Sequence, residues 1–176
     1  MHELKFADCD PITSDGDFLC LQENQRRALR QFLLFGGVVQ GGEIQLGTEV
    51  YGEGDELKND FPRRISYLTT ATVWDANKTA GQQLWIVSKQ MGYAYHEHTD
   101  LLENYFSRFK SSIDWELPVD VLTEQEKMHL AIFRALIMRS LIIIIDGVTP
   151  KATLLEMLKS ELGEFGVRFL QVREVN

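Results

Sequence analysis

The stretch that decides the fold is "LTEQEKMHLAIFRALIMRSLIIIIDG", Leu122 to Gly147. Thr123 and Glu126 match the S/T-x-x-E capping box, which marks a helix start. From Met128 to Met138 the segment is apolar almost all round, as expected of a helix buried between layers, with Arg134 and Arg139 as its charged interruptions. Aliphatic residues Leu141 to Ile145 then end on Asp146 and Gly147. A continuous aliphatic run of that length, without polar alternation, predicts a strand covered on both faces.

Downstream, Leu154, Leu155, Met157, Leu158 and Leu162 recur at helical spacing, Gly163 and Gly166 supply a stop, and Val167 to Val172 forms a further strand. Strand, helix, strand implies a right-handed crossover in a mostly parallel sheet. Upstream, "DFLCLQ" (Asp17 to Gln22) predicts a buried strand. "ENQRRALRQFLLFGG" predicts a helix, with Ala28, Leu29, Phe32, Leu33 and Phe35 on its apolar face and Gly36-Gly37 at its end. Gly41-Gly42 and Gly52 to Gly54 punctuate short strand pieces such as Glu43 to Leu46, and Ile65 to Thr69 gives another strand. Ala80 to Phe109 is helical with a break near Gly92, and Leu84, Val87, Met91, Leu101, Leu102, Tyr105, Phe106 and Phe109 are its candidate buried positions. The fold class is therefore α/β: a mostly parallel sheet with flanking helices, an antiparallel portion and a small helical part.

The chain's 176 residues suit one domain. Its net charge of -8, with Lys and Arg scattered, gives no footprint for a phosphate backbone, so no nucleic-acid partner is expected. Cys9 and Cys20 lack metal-like spacing, and the amino terminus lacks an apolar signal core, which fits a reducing, cytoplasmic setting. The window Ala131 to Ile145 is interrupted by charge and falls short of the ~20 residues of a membrane span, so any membrane association is indirect, through a partner. No nucleophile elbow, zinc spacing or Cys/His motif is present. His96 and His98, at i and i+2 on a helix, point apart and are expected to be a surface pair rather than metal ligands.

In this order the pieces resemble the ATP-binding domain of ABC transporters. Leu122 matches the signature leucine, "FRAL" (Phe133 to Leu136) the end of the signature helix, and "IIIIDG" the Walker B strand. "SDGDFLCL" (Ser14 to Leu21), "GGEIQLG" (Gly41 to Gly47) and "GVRFLQVREV" (Gly166 to Val175) are similar to the family's first strand, its hairpin and its closing strand. The resemblance implies a P-loop NTPase fold over residues 1–176, with a helical subdomain at approximately 75–120.

Against that pattern the chemical groups are missing. A P-loop needs GxxxxGK[ST], because glycines let backbone N–H groups close on the phosphates while Lys neutralises them. Here the matching stretch is "QENQRRAL", Gln22 to Leu29, with Glu23 where phosphates would sit. Glu124 and Gln125 replace the two signature glycines, and Gly147 stands in place of the catalytic Glu. Thr70 occupies the position of the usual Gln, and Glu174 that of the switch His.

The resemblance thus implies an ABC-ATPase-like protein without catalytic residues or cofactor, structural or regulatory in a complex. Its partner would be an active ATPase subunit, a transporter permease, or a second copy, with peripheral placement at the inner face of a membrane through that partner. The alternative is a diverged ATP-binding protein that keeps Mg-ATP binding or slow hydrolysis through Asp146, Arg26 and Arg27. A third reading is a small-ligand sensor using the cleft left by the P-loop. Asp146 is otherwise a relic carboxylate satisfied by nearby groups, and Arg26 and Arg27 a solvated or salt-bridged pair. Trp74, Trp85 and Trp115 are candidates for a partner interface, or else the filling of the helical part.

Overall fold

The computed structural model describes residues 13–15, 18–35, 44–46, 49–51, 64–70, 72–109, 113–147, 151–163 and 166–174. The elements are β1 (Thr13–Asp15), β2 (Phe18–Leu21), α1 (Glu23–Phe35), β3 (Ile44–Leu46), β4 (Glu49–Tyr51), β5 (Ile65–Thr69), α2 (Ala80–Gln90), α3 (Tyr95–Phe109), a 3-10 turn (Val119–Val121), α4 (Glu124–Ile137), β6 (Ile142–Asp146), α5 (Ala152–Gly163) and β7 (Arg168–Glu174). The turns expected at Gly36-Gly37, Gly41-Gly42 and Gly52 to Gly54 lie outside the described residues.

One five-stranded sheet runs in the order β1-β2-β7-β6-β5. The β2–β7, β7–β6 and β6–β5 pairs are parallel, and β1 is antiparallel to β2. β3 and β4 form a separate antiparallel pair, as the glycine-punctuated sequence predicts. The sheet is central in the sense the aliphatic run implied: β6 is paired on both edges, and Ile143, Ile144 and Ile145 are all buried. Burying one such side chain contributes roughly 1.5–3 kcal/mol.

β1 is the strand the sequence did not announce. "TSD" has neither apolar alternation nor length, and it pairs through its backbone with Phe18 to Cys20.

α4 is buried along nearly its whole length: Met128, Leu130 to Phe133 and Ala135 to Ile137 are core residues, as its sequence predicts. Thr123 and Glu126 close the predicted capping box at its start. At its end the Ser140 N–H bonds the Ala135 carbonyl and the Arg139 N–H bonds the Leu136 carbonyl, the two bonds of a Schellman cap. The left-handed residue of that cap is Arg139, at φ 58°. α2 ends with the same pair of bonds, but there Gly92 holds the left-handed position at φ 84°, at the predicted break. Ser66 and Ser140 share a buried 2.7 Å hydrogen bond, which ties β5 to the turn between α4 and β6.

Leu84 is buried between the helices, with Val87, Met91, Leu102 and Tyr105 packed against the core. Of the apolar positions read on α1, Leu29 is buried; the side chains of the others lie outside the described residues. Among the described residues no helix is long and apolar enough to cross a membrane.

Candidate functional site

Asp146 ends β6, and the parallel register sets it beside Thr69 on β5. Because strand side chains alternate, Tyr67 and Thr69 share the face of the sheet that carries Asp146. α1 lies against that part of β5. Its residues Gln25 and Leu29, one helical turn apart, are buried, and the adjoining pair Arg26 and Arg30 lies at the edge of the contact.

The result is an ionic cluster. Arg30 Nη2 donates to Asp146 Oδ2 at 2.7 Å, and the Tyr67 hydroxyl donates to the same oxygen. Arg26 Nε stands 3.5 Å from it, an ion pair without a hydrogen bond. The Asp146 side chain is only 7% exposed. Arg30 also stacks over the Tyr67 ring, 5.4 Å from its centroid. Burial pushes the Tyr67 phenol above its ordinary range, and the neighbouring carboxylate adds to the shift, so Tyr67 remains a proton donor. For Arg30, burial works against the charge, but the hydrogen bonds with Asp146 and Tyr67 outweigh it and the pKa rises. Arg26 Nη1 is shared with Glu23 at 3.5 Å. Two arginines and two carboxylates therefore balance one another.

The first turn of α1 is closed by its own side chains. The Gln22 N–H donates to Gln25 Oε1 at 2.7 Å, and the Gln25 N–H to Asn24 Oδ1 at 2.8 Å. Backbone donors at a helix amino terminus are what an anion would use. The first turn of α4 is closed in the same way, the Glu126 N–H donating to Thr123 Oγ1 at 3.3 Å while Glu126 Oε2 accepts from the Thr123 N–H at 2.8 Å. Glu124 in that turn pairs with Lys127 at 3.0 Å.

Gly147 follows Asp146 at φ 109°, a backbone conformation that side chains rarely adopt. A Cβ added there would lie 3.3 Å from the Thr70 methyl. A small cavity of about 100 Å³ borders Thr69, Thr70, Thr72 and Trp74, well below the roughly 300–1,000 Å³ of ligand pockets.

The structure thus brings Asp146 and Arg26 together and leaves Arg27 exposed, outside the cluster. Arg30 and Tyr67 were not singled out by sequence. Their signals were present: Arg30 repeats Arg26 at i+4, and Tyr67 precedes Thr69 by one strand period. Glu174 pairs with Leu21 in the β2–β7 register, and its side chain lies outside the described residues.

Trp74, Trp85 and Trp115 are all half-buried. Trp74 lies beneath Arg134, 5.5 Å from ring centroid to guanidinium. Trp115 packs on Phe133 at 5.9 Å, and Trp85 meets Tyr95 edge-on at 5.3 Å.

The expected surface pair of histidines is corrected. His96 is exposed, but His98 is 4% exposed and its Nδ1 shares a 2.8 Å hydrogen bond with Ser88 Oγ. The helical face that carries His98 packs against α2, which the i,i+2 argument could not reveal. Among the described residues no group of three or more His, Cys, Asp or Glu side chains is placed to hold a metal ion.

No protein-family model matches the sequence, and no curated protein matches it. Solved structures do match the fold. cbiO1 from Clostridium perfringens, part of the ABC transporter complex cbiONQ, superposes with a TM-score of 0.69 at 14% identity, over 99% of this chain and 76% of that one. The ATP-binding subunit of an ABC transporter gives 0.63 at 13% identity, over 99% and 77%. The ATP-binding cassette MJ0796, a dimer in a post-hydrolysis state with ADP and Pi, gives 0.61 at 12% identity, over 99% and 85%. The chain has the α/β fold of ABC ATP-binding subunits, with a parallel sheet and flanking helices.

Proposed function

We propose that the chain is an ABC-ATPase-like subunit that neither binds nor hydrolyses ATP and acts as a structural or regulatory partner in a protein complex of the ABC-transport type. The observation that carries this reading is the state of Asp146. A Walker B carboxylate has to be open to a Mg²⁺-bound water; here it is buried and held by Arg30 and the Tyr67 hydroxyl. The side-chain caps on the first turns of α1 and α4 support it further, since they occupy backbone donors that a phosphate would use and neither turn contains glycine. Gly147 supplies no carboxylate to activate water.

On this reading the fold is kept for its surface, and the partner is an active ATPase subunit, a permease, or a second copy. The helical subdomain would cover residues from approximately 75 to 120, and Trp74, Trp85 and Trp115 are candidate contacts. The chain would sit on the cytoplasmic side, at a membrane only through its partner. Affinity purification of the tagged full chain from its native host tests the partnership. Stoichiometric recovery of an ATPase with a glycine-rich phosphate loop, or of a permease, is the expected result; recovery of a monomer alone would count against it.

A specific observation favours the second reading, retained nucleotide binding. Arg26 Nε and Arg30 Nε are both buried without a hydrogen-bond acceptor, and a phosphate oxygen could serve as one.

A further inference from the structure

A second cavity, of about 340 Å³, lies between α2 and α4 and shares no residue with the Asp146 cluster. Gln83, Val87 and Gln90 line it at i, i+4 and i+7 on one face of α2, with Ile86 beside them; Arg134 and Met138, at i and i+4, line it from α4. Met91 completes the lining, which joins aliphatic and thioether groups to two amides, and Arg134 is the cation among them.

Several cations of the described residues are matched by carboxylates. Arg26 and Arg30 share Asp146, Arg108 lies 3.8 Å from Glu161, and Lys127 is paired with Glu124. Arg134 is half-buried, yet among the described residues no carboxylate lies within ion-pair distance; its contact is the Trp74 ring. Burial lowers its pKa with no opposing charge to restore it. A guanidinium taken partly out of water without an anion is unfavourable, and an incoming carboxylate would relieve that cost with two parallel N–H donors.

We propose that this cavity binds a small apolar monocarboxylate, with Arg134 holding the carboxylate and Ile86, Val87, Met91 and Met138 enclosing the tail. The volume lies at the lower end of the roughly 300–1,000 Å³ range of ligand pockets, which suits a short branched or aryl acid. A single cation favours a monoanion over phosphate. Gln90 adds an amide to the lining, the Gln83 amide nitrogen being held by the Asp75 carbonyl at 2.7 Å, and the methionines adapt to the shape of the tail.

Calorimetric titration of the full chain with 4-methylpentanoate, its primary amide, inorganic phosphate and the peptide N-acetyl-Leu-Glu-Leu-amide tests this. Saturable binding of the acid with a Kd below about 1 mM, at least about tenfold tighter than the amide or phosphate, is expected. Arg134→Met should abolish that binding while leaving thermal stability unchanged or raised, because it removes an unpaired half-buried cation. Met138→Trp, which fills the cavity, should abolish it with Arg134 intact. Equal affinity for acid and amide, no saturation, or binding that survives both substitutions would overturn the proposal. Tighter binding of the peptide than of the acid would overturn it too, assigning the cavity to a partner protein's acidic side chain. None of these outcomes depends on whether the chain binds ATP.

Discussion

Arg30 and Asp146, 116 residues apart in sequence, are joined by a 2.7 Å hydrogen bond that ties α1 to the carboxyl end of the central strand. The bond places positive charge from the chain itself on a carboxylate whose side chain is 7% exposed.

Asp146→Asn should lower unfolding stability by about 2–3 kcal/mol, since it leaves the largely buried Arg26 and the partly exposed Arg30 beside a neutral amide. Arg30→Ala should cost less, about 1–2 kcal/mol, because its side chain is 42% exposed and Tyr67 still donates to Asp146. Denaturant titration of both single variants and the double variant should give a coupling of at least about 1 kcal/mol. A coupling near zero would mean the pair is ornamental.

Gly147→Glu restores a carboxylate directly after Asp146, which on the proposed reading should not create activity. The φ of 109° and the 3.3 Å approach to the Thr70 methyl predict a stability loss of about 1–3 kcal/mol. Phosphate release from Mg-ATP by this variant, measured beside its melting curve, should stay at background. Turnover with unchanged stability would show that the site needs only its base.

Arg139 occupies a left-handed cap position that suits glycine, and its side chain is engaged with Tyr93: Nε lies 2.9 Å from the Tyr93 hydroxyl, and the guanidinium stacks 5.4 Å from the ring centroid. Arg139→Ala keeps the backbone strain and loses both contacts, whereas Arg139→Gly loses the contacts but relieves the strain, which is worth about 1 kcal/mol. The glycine variant should therefore be the more stable of the two by denaturant midpoint. The reverse order would mean that the cap is unstrained.

Much of this architecture was legible before the structure. The aliphatic run of β6, the capping box at Thr123 and the amphipathic spacing of α5 are local signals, and each produced its element close to the expected limits. The site was harder. Asp146 stood out by ending an apolar run, but its partners lie on α1 and β5, and no local pattern states which arginine of α1 reaches the sheet. Arg27, adjacent to Arg26, proved to point elsewhere because it lies about 100° further round the helix. His98 and β1 escaped for related reasons: the burial of one and the pairing of the other are set by elements distant in the chain.

His98 and His129 supply a pH dependence. Burial lowers both pKa values; for His129, Lys151 adds to the effect and Glu126 partly opposes it. The unfolded chain then binds more protons than the folded one below the ordinary value of about 6.5, so stability should fall as pH drops from about 7 toward the depressed folded values. A separate loss, with the opposite charge type, begins lower, as Glu126 and Asp75, both depressed by hydrogen bonds, become protonated. Denaturant midpoints from about pH 8 to pH 5 should flatten in the His98→Gln/His129→Gln double variant, whatever its absolute stability. An unchanged slope would remove the histidines from the account.

On the proposed reading the ionic cluster around Asp146 stands in place of nucleotide chemistry, and isothermal titration of the full chain with Mg-ATP is the decisive check. No saturable heat is expected up to about 1 mM nucleotide. Binding with a micromolar Kd that disappears on Asp146→Asn, in a variant still folded by circular dichroism, would contradict it.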